Sequence, residues 1–92
     1  MYSVTYSDDA LRSIAMYKKS DPASYKKVMR LFCELHEHPR TGTGKPEALK
    51  WLEGDVYSRA VNKKDRLVYE IYDDEVSVYV VSVEGHYSDK WE

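Results

Sequence analysis

Four short stretches of the sequence carry the side chains that could perform acid–base or anion-binding chemistry. The first is Gly44-Lys45-Pro46-Glu47-Ala48-Leu49-Lys50, which places a carboxylate between two lysines. Arg59 and Arg66 follow, and His86-Tyr87 comes near the end of the chain. In one cleft, an acid, two arginines, a histidine and a tyrosine would suit phosphodiester chemistry on RNA. The elements that carry these residues decide whether they meet.

Each of these residues also has an ordinary structural interpretation. Arg59 should point to solvent, to a carboxylate such as Glu47, or to a bound anion, and a solvated face is the commonest outcome for a lone strand arginine. A histidine with an unperturbed pKa of about 6.5 can act as an acid catalyst near neutrality, so His86 is a candidate, but an exposed terminal histidine is the simpler alternative.

The other histidines do not indicate a metal site. His36 and His38 lie at a predicted helix end, and we interpret both as structural. The one cysteine, Cys33, falls in the middle of that helix, so no tetrahedral set of ligands is apparent. The sequence also lacks a phosphate-binding glycine loop or a dinucleotide fingerprint.

The N-terminal part predicts a strand followed by a helix. Residues 2–6 alternate aromatic or β-branched residues with polar ones, which is typical of a strand with one buried face. Ser7 or Asp8 should cap a helix that runs to about Lys19. Four residues at helical spacing should form its inward stripe: Leu11, Ile14, Ala15 and Lys18.

A second helix is expected from Pro22 to about Glu37. Proline suits the first helical position, Asp21 can cap the helix, and Pro39 prevents it from continuing. Met29 and Phe32 belong to its apolar stripe, so we interpret them as core residues.

The second half predicts an irregular loop and three strands. The loop 39–54 is rich in glycine and proline, and Leu49, Trp51 and Leu52 should pin it to the body. The strands are expected at residues 56–61, 66–72 and 76–83, as an antiparallel meander whose valine-rich last strand is central. The order β-α-α-β-β-β predicts one α+β domain over residues 1–92, with a helical hairpin on a mostly antiparallel twisted sheet.

The composition predicts a soluble, cytoplasmic protein. The chain is 42% hydrophobic and 33% charged, with a net charge of −2. No apolar run approaches the about 20 residues of a membrane-spanning helix, and the start of the chain lacks a signal-peptide pattern. From Arg40 to Arg66, seven cations and four anions leave +3, so the stretch with the candidate chemistry is locally basic.

Four ordered motifs identify a family resemblance. They are Gly44-Lys45-Pro46-Glu47-Ala48-Leu49-Lys50, Tyr57-Ser58-Arg59, Asp65-Arg66-Leu67-Val68-Tyr69 and His86-Tyr87. Together they resemble the YoeB/Txe branch of the RelE-type toxins, whose motifs read approximately GKPExLK, WSR, HRLVY and HY. Because the order and separations match over nearly the whole chain, the resemblance implies a RelE-like fold.

The resemblance implies the toxin of a type II toxin–antitoxin pair. Such toxins are ribosome-dependent mRNA endonucleases that cut mRNA in the ribosomal A site. By motif, Glu47 would be the general base for the ribose 2′-OH, His86 the general acid, and Arg66 the cation on the scissile phosphate. The substrate-binding residues would be Lys50, Arg59 and Tyr87. No metal or cofactor is implied, because RNA carries its own nucleophile.

Some positions depart from the family pattern. Tyr57 stands where tryptophan is usual, Ala60 where a second arginine often follows Arg59, and Asp65 where histidine is common. The chain also continues over residues 88–92, beyond the usual terminal His-Tyr pair.

The resemblance also implies partners. An antitoxin of the YefM kind would wrap the toxin with a flexible acidic segment, and the complex would bind promoter DNA through the antitoxin. The resemblance to the YoeB/Txe branch and the thin core of so short a chain also allow a homodimer. Two other functions stay open: a ParE-like toxin that binds DNA gyrase without catalysis, and a catalytically weak antitoxin partner that acts only as co-repressor.

Overall fold

The computed structural model describes residues 1–84 of the 92-residue chain. Within them the elements are β1 (Ser3–Tyr6), α1 (Asp8–Ser20), α2 (Pro22–Glu37), β2 (Glu47–Ala48), β3 (Val56–Ala60), β4 (Arg66–Tyr72), a 3₁₀ turn (Asp73–Glu75) and β5 (Ser77–Glu84). The predicted α+β architecture, a helical hairpin on a mostly antiparallel sheet, is confirmed.

The five strands form one sheet in the order β1-β5-β4-β3-β2. The first strand runs parallel to β5, and the other neighbours are antiparallel. The valine-rich strand β5 therefore lies inside the sheet, as predicted. An irregularity in the β4–β5 register at Val68/Tyr69 brings both Val80 and Val83 to the helix-covered face.

Both helices begin at the predicted caps. The Ser7 hydroxyl accepts a hydrogen bond from the Ala10 amide (3.0 Å), and the Asp21 carboxylate accepts one from the Ser24 amide (3.2 Å). Neither helix within residues 1–84 has the length and apolarity that a bilayer crossing requires.

The predicted inward stripe of α1 is right at Ile14, which packs against the core, and wrong at Leu11, Ala15 and Lys18, which are exposed. Ala10 and Tyr17 are the buried residues of the helix, whereas Leu11 is 48% exposed and Ala15 is exposed. The rotation of the helix is set at its start, because the Ser7 amide donates to Val80 O (2.9 Å). Apolar spacing alone does not reveal this tie to β5.

The sheet separates two apolar clusters. The larger lies beneath the helices and includes Leu31, Leu35 and Tyr69, with Phe32 buried and Met29 packed against it, as predicted. The smaller lies on the opposite face, which we call the open face, and contains Leu49, Val56 and Val68 with Leu52 and Val81 at its edge. Trp51, which was expected to be buried with them, is 61% exposed.

The two-residue strand β2 was not predicted. Glu47 pairs with Ser58 and Ala48 with Tyr57, so the loop joins the edge of the sheet at the position of the candidate acid. Glycine and proline on both sides are typical of a loop, so a strand of two residues could not be recognised from the sequence.

Candidate functional site

Glu47 and Arg66 meet on the open face of the sheet. Strand β2 places Glu47 beside Ser58, and β4 begins with Arg66, whose backbone partner on β3 is Ala60. Glu47 Oε1 lies 3.7 Å from Arg66 Nη2, an ion-pair distance longer than a hydrogen bond. The structure thus brings together two of the residues proposed for catalysis, which lie 19 positions apart in the sequence.

Ser58 orients the arginine. Arg66 Nε donates a hydrogen bond to Ser58 Oγ (2.9 Å), and Ser58 is fully buried. No role for this serine was predicted from the sequence. The indication in the sequence was strand alternation, which places Ser58 on the face opposite Tyr57 and Arg59.

The pair is open to a ligand on the side away from the sheet. The Glu47 side chain is 65% exposed and that of Arg66 is 26% exposed. Within residues 1–84, the Arg66 side chain makes a single hydrogen bond, from Nε. The two terminal nitrogens can therefore bind an anion. A carboxylate that can accept a proton thus lies beside a cation that can hold a phosphate.

Two lysines flank the acid in the sequence. Both Lys45 and Lys50 are exposed, and Lys45 has a φ of 52°, in the left-handed region. They add positive charge to the segment around Glu47, which favours an anionic ligand. His86 and Tyr87 lie outside the residues that the structure describes.

Arg59 lies on the other face of the sheet. Its side chain is fully buried and pairs with a carboxylate, one of the three expected outcomes, but the carboxylate is that of Glu34. Solvent exposure and a pairing with Glu47 are therefore wrong. Arg59 Nη1 donates to Glu34 Oε1 (2.9 Å) and Nε donates to the Tyr69 hydroxyl (3.0 Å). A guanidinium engaged in this way has no free surface for a substrate, and we assign it no contact with one.

Glu34 stays ionised beside Arg59. Burial disfavours its charged form, but hydrogen bonds from Thr43 and the Arg59 cation outweigh this effect, so the pKa of Glu34 lies below its ordinary value. The buried arginine therefore has a charged partner, which a cation in this position requires.

The comparison with known proteins decides the family. Residues 6–87 match the family model described as the YoeB-like toxin of the bacterial type II toxin–antitoxin system. The chain belongs to this family of YoeB-like toxins. A YoeB toxin of Mycobacterium bovis is 33% identical over 78 residues, which cover 85% of this chain and 92% of that protein.

Solved structures of YoeB toxins share the fold. The YoeB dimer of Staphylococcus aureus superposes with a TM-score of 0.79 at 30% identity and covers 94% of this chain and 98% of that one. A heterotetrameric YoeB-YefM toxin–antitoxin complex of the same organism gives a TM-score of 0.78 at 31% identity, with 95% and 99% covered. This protein is therefore a toxin of the YoeB/RelE family.

Asp65 has a structural role in this YoeB-like toxin. It is 8% exposed and accepts a hydrogen bond from the Tyr17 hydroxyl (2.5 Å). Burial and this contact raise the pKa of Tyr17, so its proton stays on the phenol. Asn62 Oδ1 accepts from the Asp65 amide (2.8 Å) and closes the turn that precedes Arg66. The departure at Asp65 thus fixes the start of β4.

Two more departures have a structural account. Tyr57 stacks on Tyr69 with ring centroids 6.1 Å apart, so it fills an aromatic position on the helix-covered face. Ala60 lies on the open face beside Arg66, where a larger side chain would reach the Glu47–Arg66 pair.

The histidines at the end of α2 are structural, as predicted. His36 Nδ1 lies 2.7 Å from Tyr2 O and ties β1 to the helix end. The carbonyl of His38 accepts a hydrogen bond from Arg59. Within residues 1–84, no three side chains of the ligand types gather as a metal site needs.

A cavity of about 350 Å³ lies at the far end of β4 from Arg66. Five acids line it: Asp55, Glu70, Asp73, Asp74 and Glu75. Arg40 pairs with Asp55 and Asp73 there, and this cation together with Tyr2 lowers the pKa of Asp73. An acidic lining repels phosphate, so we place the candidate site at Glu47 and Arg66 despite the size of this cavity.

Proposed function

We propose that this toxin is a ribosome-dependent mRNA endonuclease that cuts mRNA in the ribosomal A site and so inhibits translation. The observation that carries the proposal is the exposed Glu47–Arg66 pair on the open face, with Arg66 held by Ser58. Family membership supports the toxin role, and the acid–arginine pair supports the chemistry.

The reaction needs a base, an acid and a cation. Glu47 takes the proton of the ribose 2′-OH, and the 2′ oxygen attacks the adjacent phosphorus. The bond from phosphorus to the 5′ oxygen breaks, and His86 protonates that oxygen. The products are a 2′,3′-cyclic phosphate and a free 5′-OH.

Arg66 stabilises the charge that develops on the phosphate. A guanidinium offers a planar set of donors that matches two phosphate oxygens, and the Ser58 contact fixes its orientation before the substrate arrives. Preorganised donors of this kind act without further rearrangement during the reaction. Lys50 and Tyr87 complete the proposed site, the lysine by its charge and the tyrosine by stacking on an unpaired base.

The proposed partners follow from the family. A YefM-like antitoxin would cover the open face and neutralise the toxin, and the complex would bind promoter DNA through the antitoxin. The S. aureus relatives form a YoeB dimer and a YoeB-YefM heterotetramer. We propose the same kinds of assembly here, with the toxin acting in the cytoplasm on ribosomes.

Primer extension on a translated mRNA with stalled ribosomes tests this function. The wild type should cut within the A-site codon only when ribosomes are present. Glu47→Ala, Arg66→Ala and His86→Ala should abolish the cuts. Arg12→Ala is a matched control, because the Arg12 side chain is 72% exposed on α1 and lies outside the proposed site.

Each outcome bears on a different part of the proposal. Cuts that persist in Glu47→Ala would show that the acid–base assignment is wrong. No cuts by a folded wild-type protein would refute the nuclease and favour a binding toxin or a co-repressor. Loss of cuts in Arg12→Ala as well would mean that the loss of any surface cation weakens ribosome binding.

A further inference from the structure

The loop that leads into β2 is folded around Arg59. The guanidinium donates hydrogen bonds to the carbonyls of His38, Thr41 (2.8 Å) and Thr43 (3.3 Å). Its partner Glu34 accepts from the Thr43 amide (2.7 Å) and from the Thr43 hydroxyl (2.6 Å). One ion pair, between the buried Arg59 and the partly exposed Glu34, therefore satisfies polar groups spread along residues 38–43, a segment without regular secondary structure.

Tyr69 adds a second tie to the same loop. Its hydroxyl accepts from Arg59 Nε and donates to Pro39 O (2.7 Å). The loop also lies close to the ion pair, because a Cβ built on Gly42 would clash with Glu34 Oε1. No larger residue fits at Gly42 without displacing this carboxylate or the loop.

The anchored loop is joined to Glu47 by a short and restricted connection. Gly44 O accepts a hydrogen bond from the Ala60 amide (2.7 Å), which fixes the end of the loop against β3. Lys45 and Pro46 follow, the first with a φ of 52° and the second with a φ fixed by its ring. A shift of the loop is therefore carried into β2 and its acid.

We propose that Arg59 is a positioning residue that holds Glu47 opposite Arg66 by fixing residues 38–44 against β3. Arg59 acts from the helix-covered face and does not touch the RNA. The catalytic part of this inference rests on the proposed function, whereas the placement of the loop does not.

Arg59→Lys is the informative substitution. Lysine keeps the positive charge beside Glu34. Its single ammonium cannot reach all the carbonyls that the planar guanidinium contacts on several sides. The charge balance of the Arg59–Glu34 pair is kept while the loop loses part of its anchor. Val28→Ala is the control, because Val28 is fully buried in the helix-side core and takes no part in the loop's hydrogen bonds to Arg59 and Glu34.

Amide hydrogen exchange tests the placement without any activity. The Ala60 amide, which donates to Gly44 O, and the Leu49 amide, which donates to Val56 O (2.8 Å), report the closure of the loop and of β2 on β3. Relative to the global unfolding equilibrium of each variant, Arg59→Lys should speed exchange at Ala60 by about tenfold or more, and Val28→Ala should not. Equal exchange in the two variants would overturn the inference.

Kinetics on ribosomes test the link to Glu47. In single-turnover experiments with toxin in excess over ribosomes, Arg59→Lys should lower the maximal rate constant of cutting about 100-fold, as expected for a misplaced catalytic group. The toxin concentration that gives the half-maximal rate should not change. In the Glu47→Ala background, Arg59→Lys should have no further effect on the residual rate. A further loss of the same size would show that Arg59 does not act through Glu47. If the wild type cuts no RNA, the proposed function fails, and the exchange comparison still decides whether Arg59 holds the loop.

Discussion

Tyr17→Phe should destabilise the protein through a single buried hydrogen bond. The Tyr17 hydroxyl donates to Asp65 Oδ2 at 2.5 Å, and both residues are buried. Phenylalanine keeps the ring packed beneath the sheet, so no cavity opens. The carboxylate is left with the Asn62 side-chain amide at 3.5 Å as a poor replacement donor.

The size of the effect follows from the charge on the acceptor. A hydrogen bond to an ionised group contributes about 1.5–3 kcal/mol, more than a neutral one. We therefore expect a loss of about 2 kcal/mol in the free energy of unfolding. In a domain of this size, such a loss lowers Tm by about 8–16 °C.

Urea denaturation and calorimetry at neutral pH measure this loss. Tyr25→Phe is the matched control on the same helical hairpin, because the Tyr25 ring lies 6.0 Å from the Lys18 ammonium and its hydroxyl has no hydrogen-bond partner within residues 1–84. It should change stability by less than about 0.5 kcal/mol. Adding Asp65→Asn to Tyr17→Phe should restore part of the loss, since a neutral amide is cheaper to bury without a donor. Equal losses in Tyr17→Phe and Tyr25→Phe would refute the reasoning.

Three further predictions follow from the loop and the open face. Ala60→Arg should lower KM on ribosomes about tenfold by adding a phosphate contact beside Arg66, a gain worth about 1.4 kcal/mol; an unchanged KM at low salt would contradict it. The pKa of Glu34 lies below its ordinary value of 4.5, so its contribution to stability is complete above that pH and is lost as the pH falls through the folded pKa. In urea titrations, the stability difference between wild type and Glu34→Gln should therefore shrink below pH 4.5, and a constant difference would be evidence against the Arg59 pair. Gly44→Ala should destabilise by about 1–3 kcal/mol in the same assay, because Gly44 has a φ of 84° and an added Cβ would lie 2.9 Å from Ala60 O; wild-type stability would show that the loop can move.

Much of the fold could be predicted because its signals are local. Cap residues, alternating strands and short turns gave the order of the elements, and helix α2 spans Pro22–Glu37 as expected. The inward face of α1 could not be predicted, since its rotation depends on a bond from Ser7 to β5. The parallel pairing of β1 with β5 joins distant parts of the chain and has no local signature either.

In the candidate site, too, local features could be predicted and long-range contacts could not. Glu47 and Arg66 were found as family motifs, and their meeting depends on a strand too short to detect. The sequence places Arg59 on one face with Tyr57 but does not show what covers that face. Arg59 is covered by Glu34 and by carbonyls of the loop, which are far from it in the sequence. The role of a charged strand residue is thus decided by long-range contacts.

The position of β5 between β1 and β4 joins the first strand to the strands that carry the candidate site. The meander β2-β3-β4, with Glu47 and Arg66, is local in sequence, whereas Val4 pairs with Val78, 74 positions further along. Contacts of such long sequence separation slow folding. Fragments that end before β5 lack the strand that pairs with both β1 and β4, so we expect the Glu47–Arg66 pair to form only in a chain that includes β5.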